Sequence, residues 1–388
     1  MAGVRRADGF LRYALSVQYH GSSFLGFSYQ KSQENTWIDE RNDLRGYRSV
    51  EGRLREALDE LVGPDNYENV QVSSRTDRGV HALKNTLHVD IRPRSRSREP
   101  WNAVKVWKGL NYYLSRQPRV SPFQSSDGSG YEQEAVGVMR LPQQDVRVLS
   151  AVKAPLKMRN HFYSAGGIET GDGVGNENGQ DASDQTPKLE FPHEHLEYVD
   201  WNARFSATER TYVYRVIQVR GDSPYGIPFE SDVSWRVFTK DGMEIRAMKD
   251  AASAFVGTHD FTSFRGAGCQ RLSPVVTLNA VQVDVQPYGM DPMWTCQGGM
   301  LGLGRSSHSP LSEQSDDIRL ITIRVNGQSF LYRQVRNIVG CLVEVGQGRI
   351  DPQSIPTLLE NCDRSRAPAM APAQGLFLVD VQHGDFVI

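Results

Sequence analysis

Residues 70–91 read VQVSSRTDRGVHALKNTLHVDI, and the pattern changes character twice within them. Val70 and Val72 end a short apolar run, Ser73–Gly79 form a polar loop, and Leu87, Val89 and Ile91 then alternate with polar neighbours at the period of a strand. The loop sets Asp77 between Arg75 and Arg78, with Gly79 free to turn tightly beside it. Two flanking cations are expected to keep the carboxyl ionised with a lowered pKa, which suits a nucleophile and not a general acid. An Asx-turn closing the loop is the commoner fate of an Asp near Gly, and on this segment alone it is the favoured reading.

Working outward, residues 11–19 alternate cleanly, with Leu11, Tyr13, Leu15, Val17 and Tyr19 on one face, and predict a half-buried strand. Residues 49–62 repeat apolar positions at helical spacing behind a capping Ser49, and residues 102–114 also look helical. The second part repeats this grammar. Strands are expected at 211–219, 275–285, 318–325 and 376–381, and helices at 243–256, at 330–345 and from Asp351-Pro352 onward. Strand runs with interspersed helices and antiparallel neighbours predict an α+β fold in two sheet-plus-helix halves, residues 10–150 and 199–388.

The composition sets outer bounds. The chain has 388 residues, 39% apolar and 23% charged, enough for two or three domains with a sizeable core. A mean hydropathy of −0.49 lies on the polar side of globular proteins. No apolar run approaches the roughly 18 residues of a membrane span, and MAGVRRADGF has no apolar h-region, which argues against a secretory signal. Four dispersed cysteines without a CxxC pair argue against a disulfide scaffold or zinc knuckle and for a reducing intracellular compartment. The net charge of −2 names no partner but hides an asymmetry. Residues 161–198 carry eight acids against Lys188, a net −7 that leaves the remainder at +5. The run GIETGDGVGNENGQDASDQT (167–186) inside it has almost nothing to bury, so residues 151–198 are read as an acidic, disordered insertion. In IRPRSRSREP (91–100), Arg92, Arg94, Arg96 and Arg98 share one side of an extended chain, as a solvated loop or as a contact to a nucleic-acid backbone.

SSRTDRGVHA (73–82) resembles the signature of the TruA family of tRNA pseudouridine synthases, and five further blocks, one before it and four after, stand in the family's order. YHGSSFLGF (19–27) is similar to the opening motif, and WNARFSATERTYVYRV (201–216) to the A-R-F-S-A-x-x-R-x-Y-x-Y segment. GTHDFTSFRGAGCQRLSPVVTL (257–278), FLYRQVRNIVGCLVEVGQG (330–348) and APAQGLFLVDV (371–381) resemble the remaining three. SSRTD and QSFLYRQVR look closest to the eukaryotic tRNA pseudouridine synthase-like branch. The resemblance implies the pseudouridine synthase fold, with two halves joined around a central basic cleft. It implies tRNA as substrate and no cofactor or metal. Asp77 is then the nucleophile, at C1′ or C6, and Tyr212 stacks on a uracil taken out of the helix, with its part in moving the C5 proton left open. Arg336 pairs with Asp77 from the edge of an apolar helical stripe, and Arg75 contacts the RNA and helps displace the target nucleotide. Arg92, Arg94, Arg96 and Arg98 gain standing as backbone contacts.

The chain departs from the family pattern in places. Arg78 stands where Ala is usual, Trp201 where Phe is usual and Val276 where Arg is frequent, and several loops are long. Two rival readings are an RNA-binding protein without activity, a tRNA chaperone on the same fold, and a glycoside-type hydrolase. The intact Asp77, Arg75, Tyr212 and Arg336 speak against the first; the missing second carboxylate speaks against the other. His193-x-His195 and Gly302-x-Gly304 lack the context of a metal or nucleotide site, and His81 is expected to be a structural hydrogen-bonding group. A homodimer or a monomer is compatible with the family, as is a mitochondrial, cytoplasmic or nuclear location.

Overall fold

The structure, a computed structural model, describes residues 9–28, 49–93, 99–116, 145–154, 156–158, 198–221, 230–288, 318–384 and 386–388. In chain order the strands are β1 (Leu11–Tyr19), β2 (Tyr67–Val72), β3 (His81–Ile91), β4 (Val146–Lys153), β5 (Leu156–Met158) and β6 (Tyr198–Asp200). They continue with β7 (Glu209–Arg220), β8 (Trp235–Thr239), β9 (Gly257–Asp260), β10 (Val275–Pro287), β11 (Ile318–Gly327) and β12 (Leu376–Gln382). The helices are α1 (Val50–Val62), α2 (Ala103–Leu114), α3 (Ile245–Ser253), α4 (Gln334–Gly346) and α5 (Ile355–Glu360). The fold is α+β, as the alternating patterns predict.

Ten of the strands form one sheet in the order β4-β1-β3-β12-β7-β11-β10-β9, with β2 also on β3 and β8 also on β7; β5 and β6 pair separately. The last strand in the chain sits near the middle. β12 lies parallel to β3 through Phe377–His81 and Leu378–Ala82, and antiparallel to β7 from Leu376–Tyr214 to Gln382–Glu209. One apolar cluster spans both parts, from Leu54, Leu58 and Leu110 through Tyr214 to Ile338 and Leu342.

Local chemistry explains most boundaries. Ser49 Oγ accepts from Gly52 N and Asn102 Oδ1 from Val104 N, each satisfying an otherwise unpaired N–H of a first helical turn. Two elements differ from expectation. β1 is covered on both faces, because Trp201 and Ala203 pack over Ala14, and Arg12 pairs across the strand with Asp90 at 2.7 Å and donates to the Trp201 carbonyl. α4 begins at Gln334, not 330, because Arg333 takes a left-handed conformation (φ 62°) that ends the preceding turn. α4 is buried nearly all round, with only Glu344 outside the buried set. The strands β2, β4, β5, β6, β8 and β9 were not expected; all are short or partly exposed, and β5 with the end of β4 lies in the 151–198 stretch read as disordered, so that stretch begins as paired strand.

Candidate active site

The loop between β2 and β3 is held from below. Ser73 N donates to the Thr86 carbonyl at 2.8 Å, and Asn85 Nδ2 donates to the Ser74 carbonyl at 2.8 Å and to Tyr19 Oη at 3.1 Å. Tyr19 Oη lies 2.8 Å from Thr76 Oγ1, completing a buried chain of polar groups. The segment of the opening motif forms the floor. Phe27 N donates to the Thr76 carbonyl at 3.1 Å. A Cβ at Gly21 would stand 2.0 Å from Val80 O, and one at Gly26, where φ is +123°, 3.1 Å from Thr76 O. Glycine at both positions lets the two backbones approach.

The turn itself is closed by main chain: Val80 N donates to Asp77 O at 3.1 Å, and Gly79 has φ +80°. The Asp77 carboxylate closes no Asx-turn among the described residues and instead faces α4. Its Oδ2 stands 3.6 Å from Arg336 Nη1, with side-chain exposures of 23% and 11%. Arg336 Nε donates to the Ala371 carbonyl at 2.8 Å, and Ala371 N donates back to the Arg336 carbonyl. The residues before β12 thereby aim the guanidinium. Arg336 is not at the edge of a stripe, as the wheel implies; it is buried and made tolerable by these two partners.

Of the cations expected to act on Asp77, Arg336 does so and the two flanking arginines do not. Arg75 and Arg78 are exposed and pair with nothing among the described residues. Burial pushes the Asp77 pKa above the ordinary carboxylate value, while Arg336 first and Arg333 second pull it back. Arg336 itself is lowered by burial against the opposing pull of Asp77. A carboxylate raised by desolvation and held ionised by one buried cation is more reactive than one bathed in water, since fewer solvent bonds must be lost on attack.

Tyr212 is placed by β7, with its hydroxyl 2.7 Å from Ser74 Oγ and its ring 5.1 Å from Phe330 in a T-shaped contact. Burial raises its phenol pKa, so it keeps its proton at neutral pH. Tyr212 is itself only 6% exposed. Thus Asp77, Arg336 and Tyr212 come together. Arg75 lies on the same loop, facing solvent. Arg92 does not join them: it follows the far end of β3, ~30 Å along the strand from His81, where its guanidinium covers Phe10 at 4.6 Å. Arg94, Arg96 and Arg98 lie outside the described residues, as do His193, His195, Gly302, Gly304 and nearly all of the acidic segment.

One supporting residue carries more than its motif position suggested. Arg210, buried on β7, donates through Nη2 to the Ser73 carbonyl at 2.9 Å and to the Arg204 carbonyl at 3.3 Å, and through Nη1 to Gln328 O. It ties the Asp77 loop, the 201–208 turn and the segment leading to α4 to one guanidinium. An arginine two places before a strand tyrosine gave no hint of those partners, two of which, Ser73 and Gln328, lie more than a hundred residues away in sequence. His81, as expected, is structural: Gly21 N donates to its Nδ1 at 3.0 Å, Nε2 lies 3.0 Å from Asp232 O, and burial lowers its pKa to about 4. A shallow recess lined by Thr262, Arg265, Cys269 and Arg364 includes none of Asp77, Arg75, Tyr212 and Arg336 in its lining. No helix is long and apolar enough to cross a membrane among the described residues.

A family model described as tRNA pseudouridine synthase matches residues 251–383. The chain is 28% identical over 372 residues to tRNA pseudouridine synthase A of Xanthobacter autotrophicus, covering 96% of this chain and 99% of that protein. It is 29% identical over 381 residues to human tRNA pseudouridine synthase-like 1, covering 96% and 90%, and 28% identical to the Xenopus laevis protein of the same name, covering 96% and 91%. The family model takes in Arg336, and the relatives match over 96% of the chain. Over nearly its whole length the chain is thus similar to tRNA pseudouridine synthases, in keeping with the resemblance its motifs carry.

Proposed function

We propose that this chain isomerises uridine to pseudouridine in tRNA, with Asp77 as the nucleophile. The observation that carries the reading is a partly buried carboxylate 3.6 Å from a buried guanidinium, beside an aromatic side chain that shares a hydrogen bond with the same loop. The reaction breaks the N1–C1′ bond, turns the base and joins C1′ to C5; N1 gains a proton and C5 loses one. Nothing is oxidised or transferred to a second molecule. Asp77 attacks C1′ or C6 and is released when the C–C bond has formed. Arg336 keeps it ionised and fixed in direction, and the raised phenol of Tyr212 packs against the base and remains protonated while the base turns.

Residues 10–150 and 199–388 form the two sides of a basic cleft in this reading. Arg75 and Arg78 face the RNA from the Asp77 loop and Arg333 from the start of α4, with Arg75 displacing the target nucleotide. Arg92, Arg94, Arg96 and Arg98 touch the backbone at a distance, on a tRNA arm that extends from the cleft. Chromatography of nucleosides from a uridine-only tRNA transcript pool treated with the protein tests the activity. New pseudouridine is the expected product; its absence from every transcript contradicts the proposal.

A further inference from the structure

Phe205 is an aromatic side chain held out into water by a rigid turn. It is 78% exposed, yet the turn that carries it is tied down at every side. Asn202 Oδ1 accepts from both Arg204 N and Phe205 N, and Asn202 Nδ2 donates to Gln71 Oε1 at 3.1 Å. Trp201 and Ala203 are buried, and Ala203 N donates to His88 Nδ1 at 3.1 Å. A single exposed apolar residue is ordinary on a protein surface and needs no explanation. Three further features set this one apart. The Arg204 guanidinium sits 5.5 Å from the ring centre, giving an aromatic face and a cation side by side. The Arg204 carbonyl and the Ser73 carbonyl accept from the same Arg210 nitrogen, so this turn and the Asp77 loop are neighbours fixed by one side chain. The main chain that carries the ring is also held in place, so little backbone freedom remains to be lost on contact.

We infer that Phe205 and Arg204 form a seat for a second, unpaired nucleotide of the RNA, one adjacent to the target uridine: its base stacks on the Phe205 ring and its phosphate meets Arg204. The inference rests on the isomerase reading for the identity of the RNA. The target uracil goes inward to Tyr212 and Asp77, and its displacement from the stack leaves a neighbour without a partner face, which Phe205 supplies. The contact is present before and during reaction alike, so it acts on binding and leaves the chemical step unaltered.

Phe205→Ala, Phe205→Leu and Phe205→Trp test this with an unmodified tRNA transcript that the wild type modifies. Loss of one base–aromatic stack predicts a roughly 10- to 100-fold rise in KM and in the Kd from filter binding for Phe205→Ala, with kcat and melting temperature unchanged. Trp restores wild-type affinity and Leu, apolar but without a π-face, does not. A KM and Kd within about twofold of wild type for Phe205→Ala, or recovery by Leu as complete as by Trp, overturns the inference. Should the wild type bind but form no pseudouridine, the same Kd series over total tRNA still decides the stacking seat while the isomerase reading falls.

Discussion

At the scale of the residue, the chemistry depends on how Asp77 is kept both ionised and poorly solvated. Burial alone would favour the neutral acid; Arg336 at 3.6 Å and Arg333 beyond it oppose that, and burial remains the larger influence on the pKa. The sign follows directly. The nucleophile is the ionised form, so activity is full above the raised pKa and falls as pH drops through it. The acid limb of single-turnover rate against pH is therefore expected above the range of an ordinary aspartate. Arg336→Gln removes the first cation, moves that limb to higher pH and lowers the plateau by ~100-fold or more. An unshifted limb with an unchanged plateau contradicts the role given to Arg336. The residue types around Asp77 were legible from SSRTDRGVHA and the resemblance named Arg336 as its partner, but the segment by itself pointed to the wrong cations. Arg75 and Arg78 are adjacent in sequence and point to solvent; Arg336 arrives from a helix that only the folded chain brings near.

At the scale of the element, the Asp77 loop is shaped by what lies beneath it. The 19–27 segment contributes two glycines whose missing side chains are the space the loop occupies. Gly21→Ala drives a methyl to within 2.0 Å of the Val80 carbonyl, which only a shift of the loop can relieve. Its expected cost is about 1–3 kcal/mol in urea unfolding, with a loss of activity greater than any loss of folded protein. Full activity in a normally stable Gly21→Ala protein would show that the loop is not held from below. α4 shows why periodicity under-reports burial. The apolar positions Val335, Ile338, Leu342 and Val345 predicted one inward face, but Gly340 lets the Ala369 backbone close over the opposite side, where its Cβ would stand 2.1 Å from Ala369 O. The short strands β8 and β9 escaped notice for the complementary reason: five and four residues give a period-2 pattern too little length to register.

At the scale of the whole molecule, β12 is the piece that makes one sheet of two sets of strands. Its alternating apolar residues were readable as a strand, but its place between β3 and β7 was not, because nothing local encodes a partner nearly 300 residues distant. His81 sits at that junction. Its ring stacks on Phe377 of β12 at 4.6 Å, contacts His20 edge-on, accepts from Gly21 and lies against the Asp232 carbonyl. With its pKa lowered to about 4, the folded protein binds fewer protons here than the unfolded chain between that value and its ordinary 6.5. Stability from this site is thus full at neutral pH and is lost as pH falls through that window, by up to about 3 kcal/mol. Urea midpoints between pH 7 and pH 4.5 check it: His81→Gln flattens this part of the dependence, and an equally steep fall in the variant contradicts the assignment. Catalysis by Asp77 needs the residue, the loop and the closed sheet together. Tritium release from a tRNA transcript carrying [5-³H]uridine measures it most directly, with wild type beside Asp77→Ala. Release by the wild type and none by Asp77→Ala, with RNA binding retained in both, is the expected result; release by the variant at a wild-type rate, or by neither protein, contradicts Asp77 as the nucleophile of a synthase.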